Sequence, residues 1–356
     1  MSSLTSFQQK ALAYEKEKNY EDAIECHFAC LNIALKSHSE IHQEVIECYD
    51  NIGRVFHYQN KFPEALNNLQ NSLRMKLELY PESHPSILTS IKNLGILYKA
   101  EKRYEEALEK FNRYLSLIDD GDSDILLEVF ESIAAIHEKL NCNSQAFEWY
   151  RKALNVRLKT ERSSQQTSTL LLKCGAILYK QAKYELALKY LKKSLNFALR
   201  ELENNHPKVG RIFNQIGVVY QGLKKYDEAL QFQFKFLNCI LLNRAENKEL
   251  LGTCYTTLGT LYKQKQEFSL AMEYFEKALE LGGQENLSMA SCYNEIACIF
   301  FQQANYDKAI EWHRKTLVIK KKYCQDNQLS LAKTYNNLGL AYQKNGNFDD
   351  ALTPFG

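Results

Sequence analysis

Several features that would point to chemistry are missing from this sequence. There is no glycine-rich phosphate loop, no paired zinc-type cysteine motif, no nucleophile elbow and no His-Glu-x-x-His segment. No catalytic centre is therefore expected, and no cofactor. No stretch approaches the ~18 apolar residues of a spanning helix, and residues 1–10 lack the apolar core of a secretory signal. Membrane insertion is not expected, and the cytoplasm is the default compartment. Charge of one sign is missing too: 45 Lys and Arg against 43 Asp and Glu leave a net +2, too little to favour phosphate backbones, so nucleic-acid binding is not expected. The one basic run, Lys320-Lys321-Lys322, follows the apolar part of a predicted helix, where cations complement the C-terminal dipole. The ten cysteines lack the dense spacing of a disulfide framework and read as reduced thiols.

What is present is a period. Ala23, Ala65, Ala107, Ala146, Ala187, Ala229, Ala271, Ala309 and Ala351 are separated by 42, 42, 39, 41, 42, 42, 38 and 42 residues. Such a chain is one repeat array, and the 45% hydrophobic and 25% charged composition is that of an ordinary folded protein. The repeats are expected at 4–45, 46–87, 88–126, 127–167, 168–209, 210–251, 252–289, 290–331 and 332–356, the fourth degenerate and the ninth truncated.

Three residues before each alanine stands a ring, as in Tyr20, Phe62, Tyr104 and Tyr226, with Asn143 the exception. Twelve before it comes a small residue: Ala11, Gly53, Gly95, Ala134, Gly175, Gly217, Gly259, Ala297 and Gly339. In the fifth repeat, where one turn residue is missing, Ala176 is the alternative. Rings or large apolar residues recur three after and four before that small position, as in Tyr98 and Ile91, and these intervals define one apolar face of a helix. Eight after the alanine there is always leucine, from Leu31 and Leu73 to Leu317, which predicts the buried stripe of a second helix. Polar turns such as Gln59-Asn60-Lys61 separate the two helices, and Ser83-His84-Pro85 or Asn205-His206-Pro207 separates repeats. Each repeat is thus a helical hairpin. The small residue and the alanine should let its two axes approach to the close end of the ~8–10 Å packing range.

The order small, ring, ring, alanine, as in Asn93-Leu94-Gly95-Ile96-Leu97-Tyr98 followed by Tyr104-Glu105-Glu106-Ala107-Leu108, resembles the tetratricopeptide repeat over essentially the whole chain. The period near 42, the His84-Pro85 and His206-Pro207 pairs and Tyr335-Asn336-Asn337-Leu338-Gly339-Leu340-Ala341-Tyr342 resemble the long repeats of kinesin light chains. The resemblance implies an all-α, right-handed superhelical solenoid of stacked antiparallel helical hairpins. It implies a protein-interaction scaffold, not an enzyme, that binds partner peptides in a concave groove lined by first helices. In its sharpest form it is a cargo adaptor, with kinesin heavy chain or cargo proteins as partners and a cytoplasmic, microtubule-associated location. The alternatives are a targeting or regulatory region of a larger enzyme, and an organiser of spindle or polarity complexes.

The groove asparagine of the resembled family corresponds to Asn51, Asn93 and Asn337 here. Asn214, Asn294 and Asn336 stand one residue further back in their repeats, and an asparagine amide can donate to and accept from a peptide backbone at once. Arg54, Arg211 and Lys333 are expected on the same side, where they would receive an acidic side chain of the ligand. The competing reading of all nine is solvated helix surface. His38 with His42, and Cys26 with His27 and Cys30, are places where a metal site can be drawn, the second on packing positions. Trp149 and Trp312 read as packing residues. Residues 119–124 and Gly282-Gly283 lead into shortened repeats and are expected to change the local superhelical angle. The last repeat stops at 351–356, part-way into its second helix, as a piece of a longer protein would.

Overall fold

The computed structural model describes residues 2–118, 123–159, 164–243, 248–281, 287–323 and 328–347. The acidic run at 119–122, the glycines at 282–283 and the chain end at 351–356 lie outside the described residues. Among those described there are seventeen α-helices and no strand. They belong to two compact bodies, Met1–Arg162 and Ser163–Gly356. The first contains α1 (Ser2–Lys16), α2 (Tyr20–Ser37), α3 (Gln43–Tyr58), α4 (Phe62–Leu79), α5 (Pro85–Ala100), α6 (Tyr104–Ser116), α7 (Ser123–Lys139) and α8 (Asn143–Lys159). The second contains α9 (Ser164–Lys180), α10 (Tyr184–Ala198), α11 (Pro207–Gly222), α12 (Tyr226–Leu242), α13 (Lys248–Gln264), α14 (Phe268–Leu281), α15 (Leu287–Gln302), α16 (Tyr306–Tyr323) and α17 (Gln328–Lys344). Within each body, odd and even helices pair as hairpins and successive hairpins stack.

One turn geometry recurs in every hairpin. Lys18, Asn60, Lys102, Asn141, Ala182, Lys224, Gln266, Ala304 and Gly346, each five residues before the periodic alanine, have left-handed backbones with φ between 57° and 83°. The amide that follows reaches back five residues: Lys61 N–H donates to the Phe56 carbonyl at 3.0 Å, Arg103 to Tyr98 at 2.9 Å and Glu267 to Tyr262 at 3.0 Å. This is the Schellman closure of a helix C-terminus, and it satisfies carbonyls that the helix end would leave orphaned.

The inter-repeat His-Pro pairs start helices. His84 Nδ1 accepts the Ser86 amide at 3.2 Å and His206 Nδ1 that of Lys208 at 3.1 Å, with Pro85 and Pro207 opening α5 and α11. His42 caps α3 in the same way through the Glu44 amide at 3.2 Å, without a proline.

The eight periodic alanines among the described residues are fully buried. Four residues after them runs a buried row whose members share no single residue type: His27, Leu69, Phe111, Tyr150, Leu191, Gln233, Phe275 and His313. It faces the small residue of the partner helix. A Cβ placed on Gly53 would lie 2.7 Å from Leu69 Cγ, one on Gly175 2.6 Å from Leu191 Cδ2, and one on Gly259 2.7 Å from Phe275 Cε1. The close helix approach thus accommodates a side chain larger than the alanine. The row seven after the alanine, from Cys30 and Ser72 to Phe236 and Thr316, is buried as well. Eight after the alanine, Leu31, Leu73 and Leu154 are buried, whereas Leu115, Leu195, Leu237, Leu279 and Leu317 are half-buried. At 100° per residue, positions 0, 4 and 7 bracket one direction and position 8 falls on its shoulder, so the invariant leucine flanks the stripe and does not centre it.

Trp149 and Trp312 do pack inside hairpins, 5.5 Å from Phe130 and 5.2 Å from Tyr293 between ring centroids. They share a row with Phe232 and Tyr274, the latter stacked on Tyr262 at 5.4 Å.

Candidate binding cleft

First helices of consecutive repeats bring three of the expected site residues together. Asn51 and Arg54 on α3 and Asn93 on α5 line one cleft of about 500 Å³, with Tyr58, Lys76 and Ile96 also on its walls. The Asn93 amide is exposed and Asn51 is half-buried.

Arg54 does not stand free for a ligand. Its guanidinium holds Glu15 of α1 with two bonds, Nη1 to Oε2 at 2.5 Å and Nη2 to Oε1 at 3.2 Å, and Nη2 also donates to Asn51 Oδ1 at 3.0 Å. Glu15 lies 2.9 Å from His27 Nε2 as well. Burial alone would raise the Glu15 carboxyl, but the hydrogen bonds from His27 and Arg54 outweigh it and hold it below the usual carboxylate range. Sequence spacing could not reveal this partner, which lies one repeat upstream.

Below the cleft, the buried Lys76 ammonium donates to Asp50 Oδ2 and to Ser90 Oγ, both at 2.6 Å, so one cation ties α3, α4 and α5. Ser72 adds a 2.5 Å bond to the same carboxylate. The second body repeats part of the device: Lys320, at the matching position of its repeat, donates to Thr334 Oγ1 at 2.9 Å. Other first-helix pairs join neighbouring repeats: Lys92 with Glu128 at 2.8 Å, Lys99 with Ser132 at 2.8 Å, and Lys263 with Glu295. Ser132 and Glu295 occupy the groove-asparagine position of their repeats, where they serve these inter-repeat contacts.

The remaining six expected site residues lie in the second body. Arg211 and Asn214 are on α11, Asn294 on α15, and Lys333, Asn336 and Asn337 on α17. Arg211, Lys333 and Asn336 are exposed. Asn337 Nδ2 donates to Asn294 Oδ1 at 3.2 Å, linking one repeat to the next. Asn214 Oδ1 accepts from the buried Gln233 Nε2 at 3.0 Å, a partner in the row four after the alanine.

His38, His42 and Glu44 place ligand-type atoms within 4.8 Å of one another. The two imidazoles stack at 3.7 Å with 3° between planes, which sets their nitrogen lone pairs parallel instead of convergent. The His42 Nδ1 is moreover engaged as the α3 cap. Ligation would require both rings to turn and that cap to be given up. Elsewhere, burial pushes the Cys48, Cys174 and Cys254 thiols up to about 12 and raises Cys26 and Cys30, so these groups behave as packing atoms.

The tetratricopeptide-repeat family model matches residues 2–78, 125–198, 166–233 and 288–355, and a second tetratricopeptide-repeat model matches 252–281. The chain belongs to the tetratricopeptide-repeat family. Tetratricopeptide repeats form protein-interaction scaffolds, generally without catalysis. A search of the curated proteins finds no match. Among solved structures, the apo form of RapI superimposes with a TM-score of 0.63 at 14% identity, covering 96% of this chain and 98% of that one. The apo quorum sensor NprR from B. thuringiensis gives 0.63 and 14%, with 99% and 96% covered. Kinesin light chain-like repeats from Podosopora anserina give only 0.34 at 16% identity over 68% of this chain and 97% of theirs, too low to bear on the adaptor reading. These likenesses are of the tetratricopeptide fold. Among the described residues, no helix is long and apolar enough to cross a membrane.

Proposed function

We propose that this tetratricopeptide-repeat scaffold captures extended peptide segments of partner proteins on its first-helix faces, and that its specific role is that of a cargo adaptor like kinesin light chains. Its partners would then be kinesin heavy chain or cargo proteins, in a cytoplasmic, microtubule-associated setting. The observation that carries peptide capture is the opening of Asn51 and Asn93, one repeat apart, into a single cleft. Their amides have the donor and acceptor groups that a peptide backbone requires. The adaptor role is supported by the repeat length. The His-Pro pairs add less to it, since His84 and His206 have a local task as helix caps.

The test is fluorescence anisotropy with labelled peptides tiled across a kinesin heavy-chain tail and across vesicle cargo proteins, titrated with the whole chain. Saturable binding that weakens about tenfold or more in Asn51→Ala/Asn93→Ala is the expected result, from two lost hydrogen-bonding groups. Binding that the double variant leaves unchanged would place the ligand elsewhere, and failure of every kinesin and cargo peptide would remove the adaptor role.

A further inference from the structure

We propose that the Asn51–Asn93 cleft selects an uncharged segment, read through its backbone, and discriminates against acidic and basic ligands. This rests on the peptide-capture reading and deepens it. Four charged side chains line the cleft, Asp50, Arg54, Lys76 and Glu128. Each already has a counter-ion within the protein: Asp50 and Lys76 hold one another, Arg54 holds Glu15, and Glu128 holds Lys92. The lining charges cancel, and burial pushes His57, also on the wall, towards its neutral form.

These pairs are structural joints. Glu15–Arg54 bridges α1 and α3, Lys76 bridges α3, α4 and α5, and Lys92–Glu128 bridges α5 and α7. A ligand carboxylate that displaced Glu15 from Arg54 would strand a side chain only 10% exposed, and one competing for Lys76 would have to reach a side chain only 7% exposed. Either leaves a charge buried without its partner, which is strongly unfavourable. A ligand cation at Asp50 would take the carboxylate from the buried Lys76, and at Glu128, 48% exposed and already paired with Lys92, it would gain only a solvent-screened contact.

The uncommitted groups suit a neutral chain. Asn51 gives its oxygen to Arg54 and keeps its NH2 for a ligand carbonyl. The exposed Asn93 amide offers both functions, while the Tyr58 ring, 48% exposed, and Ile96 give an apolar side chain a wall to lie on.

The test is selection of a displayed library of random dodecapeptides on the whole chain, with Asn51→Ala/Asn93→Ala in parallel and helix content checked by circular dichroism. The expected peptides bind the wild type, lose about tenfold or more on the double variant, and carry no Asp, Glu, Lys or Arg at their central positions. Their affinity should change less than about twofold between roughly 0.05 and 0.5 M salt. Charged cores, or affinity that falls with salt, would overturn the neutral-segment inference and leave peptide capture standing. A library that enriches nothing dependent on Asn51 and Asn93 would overturn the capture reading and this inference with it.

Discussion

Gly95 and Phe111 meet so closely that a Cβ on the glycine would stand 2.8 Å from Phe111 Cε1 and 3.0 Å from Cδ1. The ring is fully buried and has no solvent side to retreat to. Gly95→Ala is therefore expected to destabilise the first body by about 1–2 kcal/mol, overpacking outweighing the helix propensity that alanine gains. Gly252 is the control: its nearest neighbour to an added Cβ is 3.9 Å away. Gly252→Ala should be neutral or stabilise by up to about 1 kcal/mol. The urea denaturation midpoint should fall in Gly95→Ala and stay or rise in Gly252→Ala, and equal shifts would refute the steric account.

Ala182 and Ala304 hold left-handed backbones, φ 57° and 58°, where Gly346 stands in the ninth repeat. The alanine β-carbon there costs about 1 kcal/mol or more, and glycine removes it. Each Ala→Gly substitution is expected to raise the denaturation midpoint, an unusual direction for that change, whereas Gly346→Ala should lower it.

The capping histidines offer a third measurement. His84→Ala leaves the Ser86 amide without its acceptor and should cost about 1 kcal/mol, while His84→Asn, itself a good cap, should recover most of it. Amide exchange in the first turn of α5 would report the loss locally.

His313 makes stability depend on pH. Burial, and then the Lys320 charge, push its imidazole down to about 4 from an ordinary 6.5. The unfolded chain therefore takes up a proton near 6.5 that the native protein refuses until about 4. The stabilisation is complete above about pH 6.5 and is lost as pH falls towards 4, at up to about 1.4 kcal/mol per pH unit. His313→Gln should flatten that slope in the second body, leaving the smaller contributions of His57 and His137 in the first, which burial also lowers. An unchanged acid limb in the variant would show that His313 is not its source.

Much of the fold was legible because its information is local. Turn residues such as Asn60, the capping His84-Pro85 and the faces of α5 and α6 are all specified within one repeat. The row of His27, Leu69, Phe111, Tyr150, Leu191, Gln233, Phe275 and His313 was harder to see, since its members share no chemistry. Their unity is positional, each filling the space opposite a small residue. The cleft was half legible: Asn51 and Asn93 lie where the repeat register put them, whereas Arg54, expected to await an acidic ligand, is bound to Glu15, 39 residues earlier.

By itself the sequence determined the helical hairpin, its turn and the stacking of one repeat on the next, because helix periodicity and left-handed closures depend only on neighbours a few residues apart. Only the tertiary structure decided the electrostatic character of the cleft. Whether Arg54, Lys76 or Glu128 is a free charge depends on distances through space and on burial, and stacking brings its counter-ion from another helix, as far as a repeat away in the chain.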